Sequence, residues 1–136
     1  MKQFNNKFLI AVFVLMAISI VSCTKDDDNA PGTGEDDRTK FNGTWLCSET
    51  LIGGPTTAFT IKISSFGESD TVYIKNFNQL GNSDSALALI NGSSMVIPFQ
   101  SITQVAIKGS GIYTSQGKIN MNYTADSDSL TAICSK

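Results

Sequence analysis

The chain contains no histidine. That removes every catalytic triad, proton shuttle and metal centre built on imidazole. Arginine is almost missing too, with Arg38 standing alone. Lysine does not compensate, because the net charge is −2. A chain without a basic surface lacks the electrostatic footprint of a nucleic-acid binder. It also lacks a polybasic patch for anionic lipid. Cysteine is scarce, with three in all, and without His the usual four ligands of a zinc site are not available. No apolar run reaches the roughly 18 residues that span a bilayer comfortably. Residues 41–136 show no sustained helical periodicity, so helices are not expected there.

What is present begins at the N-terminus. Lys2 and Lys7 precede an apolar stretch over residues 8–21, broken only by Ser19, and Ser22 and Cys23 follow. A positive start, a short apolar segment and small residues at the cut describe a secretory signal peptide. Ile20-Val21-Ser22-Cys23 resembles the lipobox of bacterial lipoproteins. The resemblance implies that residues 1–22 are removed, that Cys23 is lipidated, and that the membrane is a partner through that lipid. Residues 23–40 then carry Asp26, Asp27, Asp28, Glu35, Asp36 and Asp37 with Pro31, Gly32 and Gly34. High charge with few apolar groups cannot offset the entropy of ordering, so a disordered acidic tether is expected. The run "CTKDDDN" resembles the acidic export signal that follows the lipidated cysteine of surface lipoproteins in some Gram-negative bacteria. It implies outer-membrane anchoring with exposure at the cell surface; a plain solvated spacer is the alternative.

Residues 41–136 suit one domain. Eight short segments read as strands, several of them alternating apolar and polar residues. Residues 118–125 are the clearest, with Ile119, Met121 and Tyr123 set against Asn120, Asn122 and Thr124. The third segment, residues 71–77, ends on Phe77, and the fifth sets Met95, Ile97 and Phe99 on one face. Breaks rich in Gly, Asn, Asp and Ser separate them, and Asn91-Gly92 is a hairpin signal. Pro98 cannot donate to a ladder, so its strand must end, bend or lie at an edge there. Gly109 and Gly111 point to a bulge or bend in the sixth strand. The expected fold is all-β: a single small antiparallel eight-stranded barrel, with a β-sandwich as the alternative.

Cys47 and Cys134 lie near the two ends of this domain. An oxidising compartment and an even count favour a disulfide over two separate thiols. Such a bond would make the first and last strands neighbours, as an even up-and-down barrel requires. Gly43-Thr44-Trp45 resembles the Gly-x-Trp opening of lipocalin-like barrels, which implies that Trp45 plugs a closed end. The arginine that partners this Trp near the last strand of that family has no counterpart, and neither has its Thr-Asp-Tyr motif. A tryptophan buried in any small β core is the plain reading.

Chemistry is sparse. The domain's carboxylates are Glu49, Glu68, Asp70, Asp84, Asp126 and Asp128, and all but Glu49 fall in turns. No facing pair suited to glycoside hydrolysis is evident. Asp126 to Ser129 offers oxygens but lacks the length and terminal Glu of a calcium loop, so turn chemistry accounts for it. No catalysis, metal or cofactor is expected. Thr71, Ser85 and Ser129 each follow Asp and precede an apolar residue. These triplets resemble O-glycosylation acceptors of exported proteins in some Gram-negative bacteria; ordinary strand starts explain them equally. Residues 109–118 resemble the Ser-Gly-x-x-Tyr segment of membrane-bound lysozyme inhibitors, which implies Ser110 and Lys118 as inserting residues. The functional expectation is a lipid-anchored, non-enzymatic binding module for a small apolar ligand. The alternative is a protein-interaction or inhibitor module, or an accessory subunit of an outer-membrane complex. Phe59, Met95, Phe99, Met121 and Tyr123 are large inward candidates, which favours a filled or narrow interior.

Overall fold

A computed structural model describes residues 36–136. The signal peptide, Cys23 and most of the acidic tether lie outside the described residues. The strands are β1 (Gly43–Leu51), β2 (Thr56–Ser65), β3 (Thr71–Lys75), β4 (Ser85–Asn91), β5 (Ser94–Ile102), β6 (Val105–Tyr113), β7 (Ile119–Ala125) and β8 (Asp128–Ser135). They run antiparallel in chain order, and β8 pairs back onto β1, so the sheet is a closed eight-stranded barrel. Closure leaves no edge strand to be covered. It rules out the sandwich.

Period-two patterning becomes a filled interior. Trp45, Cys47, Ile61, Ile63, Val72, Ile74, Met95, Ile107, Ile119, Met121, Tyr123 and Cys134 all point inward and are buried. Ala86, Ala88 and Ala132 alternate with them and leave room for the larger side chains. Cys47 stands directly opposite Cys134 in the β1–β8 ladder, with Cα atoms 3.9 Å apart, and the two form a disulfide. On a chain-entropy account a cross-link over 87 residues contributes about 4–5 kcal/mol.

Three features depart from the sequence reading. Phe99 does not share the inward face of Met95 and Ile97: it is 75% exposed. Ile97 pairs with Gly109 and Gln100 with Ile107, so Pro98 and Phe99 together oppose Lys108 alone. This bulge lies in β5, not in the glycine-bearing β6, because Pro98 has no N–H to continue the ladder. The Gln100 side chain repairs the neighbouring seam: its amide donates to the Leu87 carbonyl and accepts from the Leu87 N–H, both at 2.8 Å. Gly109 and Gly111 instead mark close approach to β7. A Cβ at Gly109 would run into Tyr123 Cβ and lie 2.6 Å from the Asn122 carbonyl oxygen.

The second departure is Phe77. β3 stops at Lys75, and Phe77 sits in a 3-10 turn, Phe77–Gln79, with its ring buried against Tyr123. The third is at the start of the domain. Residues 36–40, assigned to the tether on composition, are ordered against the barrel. Arg38 is buried, and its guanidinium donates to the carbonyls of Phe66 and Gly67 and to both carboxylate oxygens of Asp36. One buried fork of donors outweighs the local excess of charge.

Candidate functional site

The two ends of the barrel are built differently. One is sealed. Phe41 is fully buried there, and Tyr113 meets the rings of both Phe41 and Trp45 edge-on. Trp45 Nε1 donates to the Phe41 carbonyl at 2.7 Å. Lys136 Nζ lies over the Trp45 ring. Trp45 is thus buried at this end among Phe41, Tyr113 and Lys136.

The opposite end holds polar groups. Glu49 follows Trp45 and Cys47 along the inward face of β1 and is only 4% exposed. Its Oε1 accepts a long bond from Gln79 Nε2 at 3.4 Å, and its Oε2 is buried with no partner among the described residues. Burial pushes its carboxyl above the usual range, opposed by the Gln79 bond. Gln79 Nε2 also donates to Thr57 Oγ1 at 3.2 Å. Gln79 closes this end from a segment with unusual backbone: Asn76, Asn78 and Gln79 all have positive φ, at 57°, 50° and 60°. Side chains hold it there. Asn76 Nδ2 donates to the Thr60 carbonyl, and Tyr123 Oη donates to Asn78 Oδ1.

A groove of about 560 Å³ lies beside this end. Ile52, Ile97, Phe99, Tyr123 and Leu130 supply its apolar surface, and Lys108 adds a charge. The bulge that turns Phe99 outward and the missing side chain at Gly109 both contribute to it. Tyr123 belongs to both features: it is among the residues that line the groove, and its hydroxyl donates to Asn78 Oδ1.

The other residues singled out in the sequence are scattered. Thr71 and Ser85 are the first residues of β3 and β4 and are half-buried, whereas Ser129 is exposed on β8 and lines the groove. Ser110 lies within β6, paired with Val96 and Asn122, while Lys118 lies in the turn before β7. The two thus lie in different parts of the β6–β7 hairpin. Asp126 accepts from the Ala106 N–H in its turn. Among the described residues no group of three or more His, Cys, Asp or Glu is placed to hold a metal ion. The unpartnered burial of Glu49 and the turn at residues 76–79 escaped the sequence reading. Alternation along β1 carried the signal, because Trp45, Cys47 and Glu49 share one face. Comparison of the chain with protein-family models, with curated proteins and with solved structures gave no match.

Proposed function

We propose that this protein is a lipid-anchored lipoprotein of a Gram-negative outer membrane that acts as a non-enzymatic binding module for a small apolar ligand. The observation that carries the reading is the groove formed by Ile52, Ile97, Phe99, Tyr123 and Leu130. Apolar side chains fill the barrel itself, so a ligand would sit at the rim and not in the centre. Phe99 and Ile52 are large apolar groups left exposed at that place. Exposed apolar surface bordered by polar residues is the usual mark of binding. Anchoring follows from the lipobox-like Ile20 to Cys23: two or more acyl chains hold a protein durably at about 0.8 kcal/mol per buried CH₂. A near-neutral domain gives nucleic acid no electrostatic foothold.

The test uses residues 24–136, which contain the whole of the compact unit Glu35–Lys136 with its closed ladder and disulfide. N-phenyl-1-naphthylamine should bind at one site, and Phe99→Asp should weaken it about tenfold, close to the loss of one well-buried aromatic contact. Unchanged affinity in Phe99→Asp would remove the groove as the site. Cys23→Ser in the full chain should release the protein from the membrane fraction; retention there would defeat the anchor.

A second reading has its own observation. Leu89 and Val96 face each other on the outside of β4 and β5, and Tyr73 stands opposite Leu87 beside them. Leu87, Leu89 and Val96 are all exposed. This strip favours an envelope protein partner.

A further inference from the structure

We propose that the barrel end beneath residues 76–79 recognises the ammonium group of a small amphipathic amine, with Glu49 as its acceptor. The inference rests on the groove as the seat of the ligand's apolar part, and it adds the class of head group.

A buried carboxylate with a free oxygen is costly to keep. Among the described residues the ion pairs are Arg38–Asp36 and Lys40–Asp37, and Glu49 takes part in neither. Its ladder neighbours are Thr57 on β2 and Ala132 on β8, which bring no charge. Packing alone does not require an acid here: an apolar residue of similar size would fill the same inward position without the penalty. The group is explained by something that arrives from outside with a positive charge.

Gln79 behaves as a stand-in for that group. Its Nε2 reaches both Glu49 Oε1 and Thr57 Oγ1, a donor placed between two acceptors. Three positive-φ residues among residues 76–79 deliver it. A non-glycine residue in that region costs of order 1 kcal/mol, and Asn tolerates it better than Gln. Displacing Gln79 would relieve some of this strain while supplying the charge that an amide lacks. A primary ammonium has three donors. Glu49 Oε2, Thr57 Oγ1 and Asn78 Oδ1 are acceptors gathered at this end.

The groove lies toward the same end of the barrel. Leu130 and Thr131 form part of its wall and pair with Leu51 and Thr50, the two residues after Glu49. Tyr123 is common to both, as a lining residue of the groove and as the donor to Asn78 Oδ1. A ligand with its apolar body against Phe99, Ile97 and Leu130 would carry its head toward the Tyr123–Asn78 contact. One carboxylate among neutral oxygens suits a monocation better than a divalent metal. An anionic head would meet the Glu49 charge.

The experiment is calorimetric titration of residues 24–136 at pH 7 with n-hexylammonium and with 1-hexanol, which share an apolar chain. Hexylammonium should bind about tenfold more tightly than hexanol, the scale of one charge-assisted contact. Glu49→Gln should abolish that preference, and an unchanged circular dichroism spectrum shows that the variant is folded. Gln79→Ala, which removes the stand-in, should strengthen hexylammonium binding about threefold or more. Equal affinity for the two compounds, a preference that survives Glu49→Gln, or weaker amine binding in Gln79→Ala would overturn ammonium recognition and leave the groove standing. Failure of both compounds to bind would overturn the groove, and this inference with it.

Discussion

Lys136 Nζ lies 4.4 Å from the centroid of the Trp45 ring and donates to the Asn42 carbonyl at 2.7 Å. The last residue of the chain thus locks onto the first strand. A cation over an indole face contributes about 0.5–1 kcal/mol at an exposed site, and the hydrogen bond from the ammonium adds a similar amount. Lys136→Ala should therefore cost about 1–2 kcal/mol. For a domain of this size that lowers Tm by roughly 4–16 °C, readable by circular dichroism. Lys136→Arg should retain most of the stability, since it keeps the cation.

Gly109→Ala tests the close approach of β6 and β7. The new methyl group would meet Tyr123 and the Asn122 carbonyl oxygen, and backbone cannot step aside as a flexible side chain can. Overpacking of this kind costs about 1–3 kcal/mol. Urea denaturation should show a lower midpoint with an unchanged slope. Gly53→Ala is a poor comparison because its φ is positive, so Ser110→Ala, an exposed neighbour on the same strand, serves as the control and should change little.

Asp36 and Glu49 should respond to pH in opposite senses. The side-chain hydrogen bond from Arg38, above all, holds the Asp36 carboxyl below its ordinary value of 3.8. Its contribution is present above that value and is lost as pH falls through the lowered one. Glu49 is raised above its ordinary 4.5 by burial. Its fold-favouring contribution is complete below 4.5 and is lost as pH rises through the raised value. Glu49→Gln should thus be more stable than the natural chain at pH 7, by about 1 kcal/mol from the penalty of a buried unpaired acceptor. The gap should close by pH 4 and below. A gap that persists in acid would contradict the assignment.

Arg38→Ala should free residues 36–42 without opening the barrel. The guanidinium ties this segment to the Phe66 and Gly67 carbonyls, and the Asp37 carboxylate receives the Gly92 N–H. Amide exchange at Phe41 and Asn42, both bonded to the Arg38 carbonyl, should accelerate about tenfold or more. Exchange within β7 and β8 should stay as it is.

The fold was legible because period-two alternation survives in most strands, broken at the β5 bulge, and because Cys47 and Cys134 placed the first and last strands side by side. What escaped was set by single residues acting at a distance in the chain. Pro98 signalled a disturbance but not its direction, since only the pairing of Ile97 with Gly109 and of Gln100 with Ile107 determines that Phe99 turns outward. Phe77 and Gln79 bend back over the barrel through left-handed Asn76 and Asn78, a conformation that local composition does not announce. Arg38 sat in an acidic stretch whose average properties describe a tether, yet its carbonyl partners lie about 28–33 residues further on. Glu49 was visible as an acid on an inward-facing row. Its missing partner was not, because that depends on which side chains the closed barrel brings near it.

The central claim is that the rim groove carries an apolar ligand. Native mass spectrometry of the protein taken from its own membranes, with gentle unfolding, tests it most directly. The account predicts a non-protein mass that leaves on unfolding, bears an amine, and is absent from Phe99→Asp. A protein that arrives and unfolds with no such companion, at native concentration and in its own membrane, would contradict it.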